Sequence, residues 1–189
     1  MNFAPTWQQK PVRNFLKIAD FDPIPVLAAL YRQPELWNQN TLRTRYPESP
    51  HHAVDDIWLF FNATDDTSAV PNEIQVEAYP PWSMFPQLRP IIFDLMRRVE
   101  GVQLGRVIIT RLPPGKSITP HADAGAPVEW YSRFQLCLQS APGCTFRCGD
   151  EVIQMRGGEV WRFDNRLEHE VVNASAEDRL AVVVDIRCA

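Results

Sequence analysis

The sequence predicts a mainly β chain, folded as a barrel or double-sheet jelly roll with helices flanking it on the N-terminal side. Two observations carry this. All eight glycines lie at or after Gly101, whereas all seventeen prolines lie at or before Pro142. Glycine serves tight turns between strands, and proline is excluded from central strands. Residues 101–189 therefore read as compact β-structure, and residues 1–100 as helical and irregular segments packed on it. The second observation is a succession of short runs separated by Gly143, Gly149-Asp150 and Gly157-Gly158. That spacing suits a barrel or jelly roll. No repeat, low-complexity tract or linker interrupts the chain, so residues 1–189 read as one domain with its barrel core in 101–189.

In chain order, Asp22 caps a predicted helix over Pro23–Gln33, with Val26, Leu27, Leu30 and Tyr31 on one face. Asp56–Phe61 reads as a buried strand. Pro90–Glu100 places proline in the first turn of a second helix, followed by Ile91, Ile92, Leu95, Met96 and Val99 at helical spacing. Arg97-Arg98 forms its solvated end. Strands then follow at Arg106–Leu112, Tyr131–Gln139, Cys144–Cys148, Glu151–Met155, Glu159–Phe163, Glu168–Asn173 and Leu180–Arg187, with Ser117–Thr119 as a short eighth.

Composition narrows the function classes. The chain is 45% hydrophobic and 22% charged, and ten Phe, six Trp and four Tyr supply a sizeable core. A formal charge of -4 argues against non-specific nucleic-acid binding. No apolar run reaches a membrane span, and residues 1–10 lack a basic-then-apolar leader pattern. The expected location is the cytoplasm. Cys137, Cys144, Cys148 and Cys188 read as reduced thiols there, because no His or Cys pair follows at zinc-finger spacing. No nucleophile–base motif, phosphate loop or dinucleotide fingerprint is present.

Only four histidines are available: His51, His52, His121 and His169. His121-Ala122-Asp123 stands at the end of one predicted strand, and His169 follows 48 residues later near the start of another. Two imidazoles and one carboxylate on one face of a metal leave three positions open, the facial triad of non-haem Fe(II) oxygenases. Alone, such a motif also suits a surface turn and a structural histidine. Arg179, ten residues after His169, shares a strand face with Ala181 and Val183. It suits a bidentate clamp on the far carboxylate of a dicarboxylate, or a surface ion pair with Glu177 or Asp178. Arg133 and Gln135 share a polar face inside an apolar strand, lining a barrel or facing solvent. Thr110 offers a hydroxyl beside the carboxylate held by Arg179. Arg43-Thr44-Arg45 and His51-His52 lie in a Pro-rich stretch, read as a solvated loop unless it covers the barrel mouth. Trp58, Phe60 and Phe61 read as core.

From about Val107 to Arg187 the sequence resembles the aspartyl/asparaginyl β-hydroxylase family of Fe(II)/2-oxoglutarate-dependent dioxygenases. The segments that carry the resemblance are Pro-Pro-Gly-Lys-Ser-Ile-Thr-Pro-His (113–121), Arg-Phe-Gln-Leu-Cys-Leu (133–138) and Gly-Cys-Thr-Phe-Arg-Cys (143–148). Gly-Glu-Val-Trp-Arg-Phe-Asp-Asn (158–165), Glu-His-Glu-Val (168–171) and Arg-Leu-Ala-Val-Val-Val-Asp (179–185) follow. The resemblance implies a double-stranded β-helix, a cupin-like jelly-roll barrel. It implies Fe(II) at His121, Asp123 and His169, with 2-oxoglutarate anchored by Arg179 beside Thr110. Arg133 and Gln135 match positions that contact the near end of the cosubstrate or an acidic substrate. With O2, the implied reaction hydroxylates a C–H bond of an amino acid or peptidyl side chain and releases succinate and CO2. The animal peptidyl hydroxylases of the family lack the carboxylate at the position of Asp123. Its presence is similar to bacterial relatives that hydroxylate free amino acids such as proline, and no long peptide groove is expected. Two other readings keep the barrel: a metal-dependent cupin-like isomerase or lyase, which needs neither the Arg179 clamp nor O2, and a non-catalytic small-molecule-binding jelly roll.

Overall fold

The computed structural model describes residues 14–63 and 72–189; the N-terminal stretch read for a leader lies outside them. The elements are β1 (Phe15–Asp20), α1 (Ile24–Tyr31), α2 (Leu42–Arg45), β2 (Asp55–Phe61), β3 (Glu77–Ala78), α3 (Leu88–Arg98) and β4 (Gly101–Leu112). They continue with β5 (Ser117–His121), α4 (Ala126–Trp130), β6 (Ser132–Gln139), β7 (Cys144–Cys148), β8 (Glu151–Ile153), β9 (Glu159–Phe163), β10 (His169–Asn173) and β11 (Arg179–Cys188). Two antiparallel sheets form, ordered β1-β9-β6-β11-β4-β2-β3 and β5-β10-β7-β8.

Side-chain alternation gives the large sheet two different faces. Phe134 and Leu136 of β6, Val182 and Val184 of β11, and Val107 and Ile109 of β4 point to one side. There they pack with Val26 and Leu30 of α1 and Leu88, Ile92 and Leu95 of α3. Between the sheets lies a second apolar cluster that includes Phe15, Leu112, Ile118, Phe146, Phe163 and Val171. The same inner face of β4, β6 and β11 also carries polar side chains between small or apolar ones such as Ile108, Ala181 and Val183: Thr110, Arg133, Gln135, Arg179 and Asp185 are buried or nearly so. The helices thus take the apolar face of the sheet, and the inner face is left for chemistry.

Three expectations need correction. The first half holds more strand than expected: the strand read at Asp56–Phe61 is present as β2, and β1 and β3 extend the large sheet at its two ends. β1 is an edge strand that pairs with β9 and anchors Phe15 between the sheets. β4 begins at Gly101 rather than Arg106, because Gly105 serves close packing and not a turn. A Cβ there would lie 2.8 Å from the Tyr131 ring. Tyr31 is exposed, and its hydroxyl donates to Gln139 Oε1 at 3.0 Å. The cysteines are free thiols, with Cys144 and Cys148 buried on the same side as Phe146. No described helix is long and apolar enough to cross a membrane.

The turn into β9 depends on Gly158. Its φ is +90°, and a Cβ would lie 2.7 Å from the Phe21 carbonyl oxygen. The same approach lets the Phe21 N–H donate to the Gly158 carbonyl at 2.7 Å. Gly158→Ala is expected to destabilise the protein by more than about 1 kcal/mol, read as a lowered urea midpoint. An unchanged midpoint would refute this account of the turn.

Candidate metal centre

His121 closes β5, His169 opens β10, and the two are direct cross-strand partners. Their ring centroids lie 4.2 Å apart. Asp123 follows β5 by two residues and is held by the β9–β10 turn. Its N–H donates to the Asn165 carbonyl at 2.9 Å, and Asn165 Nδ2 donates to its Oδ2 at 2.8 Å. One donor atom from each of His121, Asp123 and His169 falls within 4.8 Å of the others. The convergence expected from the sequence is therefore present.

The protonation of the imidazoles follows from their partners. His121 Nδ1 lies 2.7 Å from the Thr119 carbonyl, and His169 Nδ1 lies 2.9 Å from the Leu167 carbonyl. A carbonyl only accepts, so in each neutral ring Nδ1 carries the proton and Nε2 keeps its lone pair. His121 Nε2 is buried, has no hydrogen-bond partner among the described residues, and lies 3.7 Å from Asp123 Oδ1. Burial pulls the His169 pKa down to about 4, against the opposing charge of Asp123, so this ring is neutral near pH 7. Burial pushes the Asp123 carboxyl up, but Arg133, His169, Asn165 and His121 outweigh it and hold it at about 2. Two imidazoles whose Nδ1 atoms are engaged by carbonyls, a carboxylate and an orphaned buried nitrogen fit a divalent metal of the first transition row.

The site opens into a cavity of about 370 Å³. Arg179 lines it and is 3% exposed. Its Nη2 donates to Gln135 Oε1 at 2.6 Å and lies 3.7 Å from Met155 Sδ. Among the described residues no carboxylate pairs with it, so the surface ion pair with Glu177 or Asp178 is not formed. Thr110 also lines the cavity, its Oγ1 buried and without a hydrogen-bond partner among the described residues. Arg133 has a different setting: it reaches Asp123 and Asp185 together.

Of the two readings of the segment around residues 43–52, the solvated loop gives way to the one at the barrel mouth, since Arg43, Tyr46, Pro50 and His51 line the cavity. Arg43 Nη1 donates to the buried Asp56 at 2.7 Å, and its Nη2 donates to His51 Nδ1 at 3.0 Å. Guanidinium cannot accept, so His51 accepts at Nδ1. Burial and the Arg43 charge hold its pKa well below the usual imidazole range. Its ring stands 5.0 Å from that of His121. Phe61, read as core, borders both the cavity and the Trp58 ring. Asn165 and Asp185 were not singled out individually. A visible signal existed for Asp185, a lone carboxylate in an apolar strand on the same face as Arg179, Ala181 and Val183.

Architecture and donor set together define a metal-site jelly roll of the double-stranded β-helix type. The chain belongs to the aspartyl/asparaginyl β-hydroxylase family, which matches it over residues 34–188. It is 31% identical over 77 residues to L-proline cis-4-hydroxylase of Rhizobium meliloti (strain 1021), covering 41% of this chain and 28% of that protein. It is 31% identical over 90 residues to L-proline cis-3-hydroxylase 1 of a Streptomyces species, covering 46% and 30%. The matched segments span less than a third of either relative. Two solved structures share the fold. A prolyl hydroxylase from Trichoplax adhaerens, bound to a hypoxia inducible factor peptide fragment, superposes at a TM-score of 0.60 and 14% identity, over 97% of this chain and 94% of that one. A 2OG-Fe(II) oxygenase family protein from Burkholderia pseudomallei gives 0.57 and 17%, over 92% and 84%.

The cysteines stand outside this donor set. Burial raises the thiols of Cys137 and Cys148 to about 11, so they are protonated near neutral pH and poor ligands. The variant carrying Cys144→Ser and Cys148→Ser is expected to bind as many metal equivalents as wild type, counted by elemental analysis. Loss of one equivalent would bring these thiols into the site.

Proposed function

We propose that the protein is an Fe(II)/2-oxoglutarate-dependent dioxygenase that hydroxylates a C–H bond of an amino acid. One observation carries the reading: a buried guanidinium without a carboxylate partner faces the same cavity as the His121, Asp123 and His169 donors. A buried cation calls for an anion, and the planar fork of Arg179 matches a carboxylate. Family membership supports the same chemistry.

His121 and His169 would hold the metal through Nε2, and Asp123 through a carboxylate oxygen. With Fe(II), 2-oxoglutarate and O2 bound, that centre supplies the oxidation: the cosubstrate leaves as succinate and CO2, and a C–H bond becomes C–OH. Arg179 would take the far carboxylate of the cosubstrate, Gln135 orients Arg179, and Thr110 adds a hydroxyl donor. Arg43 and His51 also line the cavity and would contact substrate beside the metal. Cosubstrate and substrate share about 370 Å³, near the lower end of ligand cavities. That size, together with two relatives named as L-proline hydroxylases, favours a small free amino acid over a long peptide.

The test has two parts. Anaerobic titration should show one Fe(II) per chain and 2-oxoglutarate binding to the loaded protein, after which a succinate-release screen over L-amino acids and short peptides identifies the substrate. If the loaded protein binds no 2-oxo acid, the reading falls in favour of the cupin-like isomerase or lyase. The second part is Arg179→Lys. Hydrogen bonds to charged groups contribute about 1.5–3 kcal/mol, so losing the fork is expected to weaken 2-oxoglutarate binding at least about tenfold while leaving metal affinity unchanged. Thr110→Val is expected to have a smaller effect. Equal calorimetric affinities for wild type and Arg179→Lys would remove Arg179 from the cosubstrate site.

A further inference from the structure

Resting on the metal reading above, we propose that Arg133 and Asp185 are positioning residues for Asp123. Asp185 locks Arg133, and Arg133 locks one carboxylate oxygen, so that Asp123 meets the metal through the other oxygen alone. The resemblance instead suggests that Arg133 contacts the cosubstrate or substrate.

The geometry gives the order of the chain. Asp185 of β11 and Arg133 of β6 are cross-strand partners. Arg133 Nε donates to Asp185 Oδ1 at 2.8 Å and Nη2 donates to Oδ2 at 2.9 Å, a two-pronged fork. The Asp185 side chain is 2% exposed, so its charge is matched by Arg133 and not by water. With Nε and Nη2 occupied, Nη1 points at Asp123 and donates to Oδ2. Asn165 Nδ2 donates to the same oxygen at 2.8 Å. Oδ2 therefore has two donors, and Oδ1 is the oxygen that faces His121 Nε2.

Single-oxygen ligation matters for coordination number. Three protein atoms leave three positions on a six-coordinate metal, enough for a two-atom 2-oxo acid and one further ligand. A carboxylate free to swing both oxygens onto the metal would occupy one of those positions. Partners behind a ligand typically change metal affinity by about 10–100-fold when removed.

Co(II) alone serves as the probe, titrated calorimetrically and by visible absorption into wild type, Asp185→Asn and Arg133→Lys. Asp185→Asn keeps the shape but removes the charge that fixes the fork. Arg133→Lys keeps the charge but cannot reach both carboxylates. The expected result is at least tenfold weaker Co(II) binding in both variants with an altered visible spectrum. 2-Oxoglutarate affinity should fall further only where the two-oxygen contact competes with it. Wild-type Co(II) affinity and spectrum in the folded variants would overturn the proposal. So would unchanged Co(II) binding by Arg133→Lys with a loss confined to 2-oxoglutarate, which would return Arg133 to the cosubstrate. If Asp185→Asn does not fold, Arg133→Lys decides; if neither folds, the paired variant Arg133→Gln with Asp185→Asn, which removes both charges together and with them the lock on Oδ2, decides by the same two readouts. Failure of wild type to bind Co(II) would instead remove the metal reading itself.

Discussion

Charge buried between two β-sheets is the constraint around which this molecule is arranged. Taking an ion out of water costs several kcal/mol even after the protein relaxes, so an inner-face charge persists only with a partner. Arg133 is shared by Asp123 and Asp185, and Arg43 by Asp56 and His51. Arg179 breaks the pattern, with an amide oxygen and a thioether in place of a carboxylate. That imbalance is what the proposed anion site rests on, and it sits on the wall of the cavity that the two histidines and Asp123 also face.

The division of labour between the two faces of the large sheet makes this arrangement affordable. On the helical side, β2, β4, β6 and β11 bury Ile57, Val107, Phe134 and Val182 against α1 and α3, with no charge to satisfy. That apolar cluster supplies stability through area removed from water. The inner face can then carry polar side chains that contribute little stability of their own. Strand pairing supplies the accuracy: His121 against His169, Arg133 against Asp185 and Thr110 against Ala181 are register partners, and a slip of one residue would turn each to the wrong face.

Much of the barrel was legible because turn chemistry and alternation are local. The limits of Cys144–Cys148 and Glu159–Phe163 follow from the glycines around them, and the shared face of Arg179, Ala181 and Val183 follows from period two. Apart from Asp185, most of what escaped had no local signal. β1 exists because β9 offers it an edge. Gly105 sits inside a strand because the Tyr131 ring presses on it. The Arg43–His51 segment resembles any Pro-rich loop until Asp56 draws Arg43 inward.

By itself the sequence determined the β-rich class, which residues share a face along β4, β6 and β11, and the residue types able to hold a metal and a carboxylate. Those are properties of neighbours along the chain, where spacing sets direction. Tertiary structure alone decided which charge meets which. Arg133 lies 52 residues from Asp185 and ten from Asp123, and nothing in its own strand says that both carboxylates will claim it. An arginine on an inner face serves a ligand or another side chain according to how many anions lie within hydrogen-bond reach, and that number exists only once the sheets have closed.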